Sequence, residues 1–418
     1  MPVEKTVLDN GLTIVSESMP WVRSVTMGFW YRVGSRDERP DQAGLAHFME
    51  HMMFKGTPTM SALEVSEAFD ALGAESNAFT SKECTCFYAR FVDERLDDVL
   101  PLLADMVVYS SFRDEDIVTE REVVVEEIAR SEDQPDDHVF ELYMGELMPT
   151  HPLGRPVLGQ RELVRAYQHA DCRAFHDEHY HSGNLVVAAV GNIDHGRLVK
   201  KVQHALSGVR VGERRVRVKA VEAGRRSFVA QKRDIEQAHI VYGFPWYAAG
   251  DPFRFAGTTL AAILGGSMSS RLFQEVREKN GLAYTVMAGS NAYSDAGQFY
   301  VYCGTRPENL GKAMAIIRRE LARIAEEPPT PEEVKRSCEV ICGQLLLGVE
   351  STSDRMARIG RRETLGLPQT GVSELIERYR SVTPEDVRAV AERYLTASPT
   401  AAVISPYGED EARSLVMG

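Results

Sequence analysis

Apolar and polar positions alternate at the start of the chain, in Thr6-Val-Leu8 and again in Leu12-Thr-Ile-Val15, on either side of Asn10-Gly11. This pattern predicts two strands joined as a β-hairpin. A second strand pattern runs from Ser24 to Val33, followed by a helix that stops at Gly56-Thr-Pro58. Ser61-Ala-Leu-Glu64 is a capping box opening a further helix that closes near Gly73. Ser76 to Phe91 is strand-like, Leu96 to Val107 has helical periodicity, and Ile117 to Arg130 reads as a helix despite Val123-Val-Val125. A β-branched run is a poor helix former, so packing must override propensity there. Asn184 to Val190 is a continuous apolar strand that leads through Gly191-Asn-Ile-Asp194 into another helix.

The second half repeats this order. Ser76-Asn77-Ala78-Phe79, then Cys86-Phe87-Tyr88-Ala89-Arg90, then a helix from Leu96 are matched by Ser290-Asn291-Ala292-Tyr293, Gln298-Phe299-Tyr300-Val301-Tyr302 and a helix from Leu310, at an offset of 214 positions. Duplication explains a shared order better than chance does. The expected class is α+β, with two homologous domains, each a mixed or antiparallel sheet packed with helices on one side. The expected boundaries are 1–212, a charged and exposed connector at 213–225, and 226–418.

Composition narrows the function. The 418 residues exceed what one core usually organises. A net charge of −13 gives no basic stripe for nucleic acid. There is no basic start with an apolar run and no stretch of ~20 apolar residues, so the chain reads as soluble and cytoplasmic, with no membrane partner. The six cysteines form no C-x-x-C pair and read as reduced packing residues.

The chemistry concentrates in Gly44-Leu-Ala-His47-Phe-Met-Glu50-His51-Met-Met-Phe-Lys55-Gly56. Helical residues four apart share a face, so His47 and His51 can aim both imidazoles at one ion, with Glu50 beside them. Imidazole suits zinc, and a catalytic zinc needs a third protein ligand and an open position for water. Among the glutamates of Thr119-Glu-Arg-Glu-Val-Val-Val-Glu-Glu-Ile128, Glu127 is the leading candidate, with Glu120 seven residues earlier placed to support the site. Glu50 is then the general base on a zinc-bound water. His176-Asp-Glu-His179-Tyr-His181 is a rival metal cluster, but His179 and His181 diverge on a helix and no base is placed beside them.

These motifs resemble the pitrilysin/insulinase family of zinc peptidases with an inverted H-x-x-E-H motif, and within it the branch of mitochondrial processing peptidase and its half-length bacterial relatives. The interval of 76 positions from His51 to Glu127 matches the family's distal glutamate and selects Glu127 over Glu122 and Glu126. Gly73 to Thr80, His151-Pro-Leu-Gly-Arg155, Gly265 to Phe273 and Arg277 to Tyr284 also match, while Ser182 stands where the relatives often have proline. The resemblance implies one Zn2+ per chain and Glu120 in support. It also implies an edge strand at Asn77, Ala78 and Phe79 that takes peptide substrate as an added strand, and Arg277 and Tyr284 as substrate-binding residues.

Longer family members join four such domains and this chain has two, so a closed chamber calls for a second subunit: a homodimer, or alternatively a heterodimer. The expected activity is endopeptidase action on unfolded or short peptides, with basic ones suggested by the acidic runs Asp93-Glu94 and Asp133 to Asp137. The alternatives are a non-catalytic or partner-dependent subunit of a heteromeric processing peptidase, and a peptide-binding module.

Overall fold

The protein is described here by a computed structural model covering residues 2–214, 216–220 and 227–418. Two sheets organise it. The first holds β1 (Val3–Val7), β2 (Thr13–Ser18), β3 (Ser24–Tyr31), β4 (Glu75–Thr80), β5 (Thr85–Val92) and β6 (Leu185–Gly191) in the order β1-β2-β6-β3-β5-β4. The second holds β7 (Ser227–Lys232), β8 (Ala238–Trp246), β9 (Ala283–Ala292), β10 (Gly297–Thr305) and β11 (Thr400–Ser405) in the order β7-β11-β8-β10-β9. Each sheet has one parallel pair, β2 with β6 and β7 with β11, and is otherwise antiparallel. From β2 onward the two sheets therefore repeat the same order and directions, with β1 the one addition. The chain is α+β with two sheets.

The hairpin forms with a wider loop than a two-residue turn. Leu8 and Leu12 still pair, through Leu8 N to Leu12 O at 2.9 Å, and Gly11 adopts φ +85°. In the first sheet Val25, Met27 and Phe29 of β3 face a core shared with the helices Leu45–Met53 and Leu96–Val108, while Trp30 points to the other face. Likewise Val187 and Ala189 of β6 face one way and Val186, Ala188 and Val190 the other. Burial on both faces is why β6 reads as an unbroken apolar run.

The second face of each sheet carries one helix from a distant part of the sequence. On the first sheet it is Thr352–Thr364, whose Met356 and Ile359 pack with Val15, Trp30 and Val186. A Cβ on Gly360 would lie 2.3 Å from Trp30 Nε1, so only glycine admits this approach. Buried Glu17 pairs with Arg355 and, at 3.0 Å, with Arg358 of the same helix. On the second sheet it is Pro135–Leu147, whose Val139 and Tyr143 pack with Val241, Ala402 and Ile404, the Tyr143 hydroxyl donating to Phe299 O at 3.1 Å.

The chain accordingly divides into two compact units, Met1–Arg130 with Arg155–Val218 and Leu347–Gly371, and Ser131–Gly154 with Lys219–Leu346 and Val372–Gly418. A contiguous division near 212–226 follows the strands, whereas these two helices are traded across it. In the 213–225 connector, residues 215 and 221–225 lie outside the described ones. Val216 is 97% exposed, but Arg217 is stitched to the first unit by Asp37 at 2.8 Å and the Glu83 carbonyl at 2.6 Å, so exposure holds for part of the connector only. All six cysteines are free and buried. Among the described residues no helix is long and apolar enough to cross a membrane.

Candidate metal centre

The helix Leu45–Met53 starts where it does because its first backbone donors are already satisfied. Glu38 accepts from Gly44 N at 3.0 Å and Ala46 N at 2.8 Å, and Tyr167 donates to Ala43 O at 2.9 Å. A carboxylate at a helix N-terminus caps free N–H groups and meets the positive end of the helix dipole. Burial nevertheless dominates at Glu38 and raises its pKa to about 8. Gly44 at φ +100° makes the turn into the helix, and Gly159 lies directly against it. Phe48, Met49, Met52 and Met53 bury the apolar face in the core.

His47 and His51 then stand one turn apart, ring centroids 4.6 Å from each other. The helix Asp114–Asp133 faces them. Its Ile117, Val124, Val125 and Ile128 are buried, which is what holds the β-branched run helical, while Glu122 and Glu126 are exposed. Glu120 and Glu127 lie on the histidine side. Glu127 Oε2 is 3.7 Å from His47 Nε2 and 3.5 Å from His51 Nε2. Ligand atoms ~2.1 Å from a tetrahedral zinc are ~3.4 Å apart, so a single ion fits between these three. Among the described residues, His47, His51 and Glu127 are the one group of three such side chains that converges this closely.

The electrostatics differ at the two histidines. Burial, reinforced by the nearby His51, lowers the pKa of His47. At His51 burial also lowers it, but hydrogen bonds and charges of Glu120 and Glu127 prevail and raise it to about 9. Glu120 Oε1 sits 2.7 Å from His51 Nδ1, and its other oxygen pairs with Lys55. With Glu120 accepting at Nδ1, the Nε2 lone pair of His51 is directed at the ion site. Glu127 is held below the usual carboxylate range first by its hydrogen bond to His51.

Glu50 projects beside this group. Burial raises its pKa against a hydrogen bond with the Thr80 side chain, and its Oε2 is buried without a hydrogen-bond partner among the described residues. A carboxylate of raised basicity with one uncommitted oxygen is equipped to take a proton. Thr80 ends β4, the edge strand on which Asn77, Ala78 and Phe79 lie. Phe79 packs edge-on against Trp30 at 5.3 Å, and Asn77 Oδ1 accepts from Ala78 N at 2.8 Å.

Arg277 and Tyr284 lie in the second unit. Arg277 belongs to a π-helix, Phe273–Glu278, and its guanidinium stacks 4.7 Å from the rings of both Phe273 and Tyr284 while donating to Tyr284 O at 2.9 Å. Tyr284 is 77% exposed. The rival cluster serves packing: His176 Nε2 bonds to Val107 O at 2.9 Å and the ring stacks on Tyr180, and His179 lies against Phe175. The acidic pair Asp93 and Glu94 is engaged by Arg23. Glu38, Lys55 and Thr80 carried no role in the sequence reading. Lys55, four residues after His51 in the same motif, and Thr80, at the end of the matching stretch from Gly73, had a positional signal, and Glu38 had none.

Comparison with known proteins places these features in context. Residues 13–161 match the family model described as Insulinase (Peptidase family M16), and residues 167–340 match the model described as Peptidase M16 inactive domain. An uncharacterized zinc protease of Streptomyces coelicolor is 43% identical, over 99% of this chain and 92% of the relative. One of Bacillus subtilis with the same description is 37% identical, over 97% and 99%. Among solved structures, a peptidase M16 inactive domain from Pseudomonas fluorescens has a TM-score of 0.92 at 20% identity, covering 98% of this chain and 99% of its own. A protease from Helicobacter pylori has a TM-score of 0.90 at 22%, covering 97% and 100%. These two share the fold.

Proposed function

Because the chain belongs to the insulinase family of peptidases, M16, we propose that it is a zinc-dependent endopeptidase acting on unfolded or short peptides. The observation that carries this reading is the convergence of His47 Nε2, His51 Nε2 and Glu127 Oε2 on one point beside Glu50. Zinc, when bound, supplies a Lewis acid that acidifies water and polarises the scissile carbonyl. Glu50 accepts the proton of the attacking water and delivers it to the leaving amine. Glu120 orients His51 through Nδ1. The open edge of β4 at Asn77 to Phe79 binds the substrate backbone as an added strand, which favours extended peptides over folded ones. Arg277 and Tyr284 hold the substrate near the scissile bond. The working unit on this reading is a homodimer in which these two residues serve the zinc of the other subunit.

The test is Glu50→Gln, assayed with a quenched peptide alongside bound zinc. Hydrolysis is expected to fall about 10²–10⁴-fold with zinc retained, as for loss of a general base. Unchanged hydrolysis in a zinc-loaded variant refutes the mechanism.

A further inference from the structure

The motif residue Lys55 has no part in the chemistry above, yet its ammonium reaches the metal centre indirectly. Its backbone is fixed just beyond the histidine helix: Lys55 N bonds to Met52 O at 3.1 Å, and Arg113 donates to Lys55 O at 3.2 Å and Thr57 O at 2.7 Å. From there Nζ pairs with Glu120 Oε2, while Oε1 of the same carboxylate meets His51 Nδ1. The Glu120 side chain is 4% exposed and that of Lys55 29%. Beyond Lys55, Oε2 has no hydrogen-bond partner among the described residues. A solvent-exposed ion pair contributes little, but here one member is buried and its remaining oxygen is already committed to a metal-site histidine.

We propose that Lys55 is a positioning residue of the metal centre, holding Glu120 in the orientation that presents His51 Nε2 to zinc. The inference rests on the zinc reading given above. Two arguments support it. The last torsion of a glutamate has a broad preference of its own, so a second anchor at Oε2 adds to the His51 contact in fixing Oε1 in line with Nδ1. Charge also balances: Glu50, Glu120 and Glu127 bring three negative charges, and a divalent ion with one ammonium compensates them. Removing Lys55 leaves a buried carboxylate oxygen unpaired next to the site.

The experiment measures zinc dissociation constants by chelator competition for the parent, K55M, K55R, E120Q and the K55M/E120Q double variant. A thermal melt of each metal-free protein verifies folding, and K55Q replaces K55M in the cycle should K55M not fold. Loss of a partner behind a ligand typically weakens metal binding about 10–100-fold, and that range is expected for K55M. K55R should stay within about fivefold of the parent, because a cation still reaches Oε2. In the E120Q background the K55M change should cost less than about threefold, since the carboxylate it anchors is gone. Parent-like affinity in K55M, or an equal loss with and without Glu120, overturns the positioning role while leaving the zinc site standing. A parent protein that binds no zinc overturns both.

Discussion

Gly159→Ala tests how tightly the metal helix is tied to its start. Gly159 has φ +79°, and a Cβ there would lie 2.2 Å from Ala43 O and 2.4 Å from Gly44 Cα. Both are backbone atoms at the point where the histidine helix begins, and neither can rotate away. Restoring a 3.4 Å contact requires a shift of about 1.2 Å. The left-handed backbone costs a non-glycine residue ~1–2 kcal/mol. The overpacking adds ~1–3 kcal/mol. A total of ~2–5 kcal/mol is therefore expected. His47 lies three residues past Gly44, and metal–ligand distances tolerate only ~0.2 Å, so zinc affinity should fall at least about tenfold. Gly73→Ala is the control: φ is +60° and nothing lies within 4 Å of the added Cβ, so it carries the backbone cost alone. Urea unfolding and chelator competition on both variants decide the matter. Equal stability and equal zinc affinity in the two would show that the close approach does not position the helix.

Other consequences are open to measurement. His51 has its pKa raised to about 9, so in the metal-free protein its proton stabilises the fold fully below about 6.5 and this contribution is lost as pH rises through about 9. Zinc must displace that proton, so apparent affinity should rise up to about tenfold per pH unit from 7 towards 9 and then level off; isothermal titration showing constant affinity over that window refutes the assignment. Glu17→Ala leaves Arg355 and Arg358 without their buried partner and should destabilise by ~3 kcal/mol in urea, and a loss below ~1 kcal/mol would mean the ions are independently solvated. Mixing inactive Arg277→Ala and Glu50→Gln chains should restore about one quarter of parental hydrolysis if subunits pair at random and sites are completed across them. No recovery, with mixed dimers formed, excludes completion in trans.

Local signals carried far in this chain. The capping box at Ser61 and Glu64 and the buried run of β6 follow from caps, apolar continuity and flanking turns, each readable within a dozen residues, whereas the helix through Val123-Val-Val125 needs the burial of Val124 and Val125 to override propensity. His47, Glu50 and His51 were legible because one turn of helix fixes their geometry. Glu127 was harder: several glutamates share its helix, and only the tertiary packing of Val124 and Ile128 decides which of them turns inward. Glu38 left no trace and Thr80 only its place at the end of a matching stretch, since their roles depend on where Gly44 and Glu50 arrive in space. Least legible was the trade of helices between the sheets. Thr352–Thr364 and Pro135–Leu147 look like ordinary amphipathic helices, and no local pattern names the sheet that receives each.

That trade has a bearing on how the protein comes into being. During synthesis the strands of the first sheet and all three converging side chains are complete by Gly191, yet the face bearing Val15, Trp30 and Val186 has no cover until Thr352–Thr364 emerges more than 150 residues later. In that interval the nascent chain carries an exposed apolar sheet and an unanswered Glu17 carboxylate, the kind of surface that chaperones retain. A half-chain ending at the connector should for the same reason be sticky and hold zinc poorly, although its sequence contains all three converging side chains.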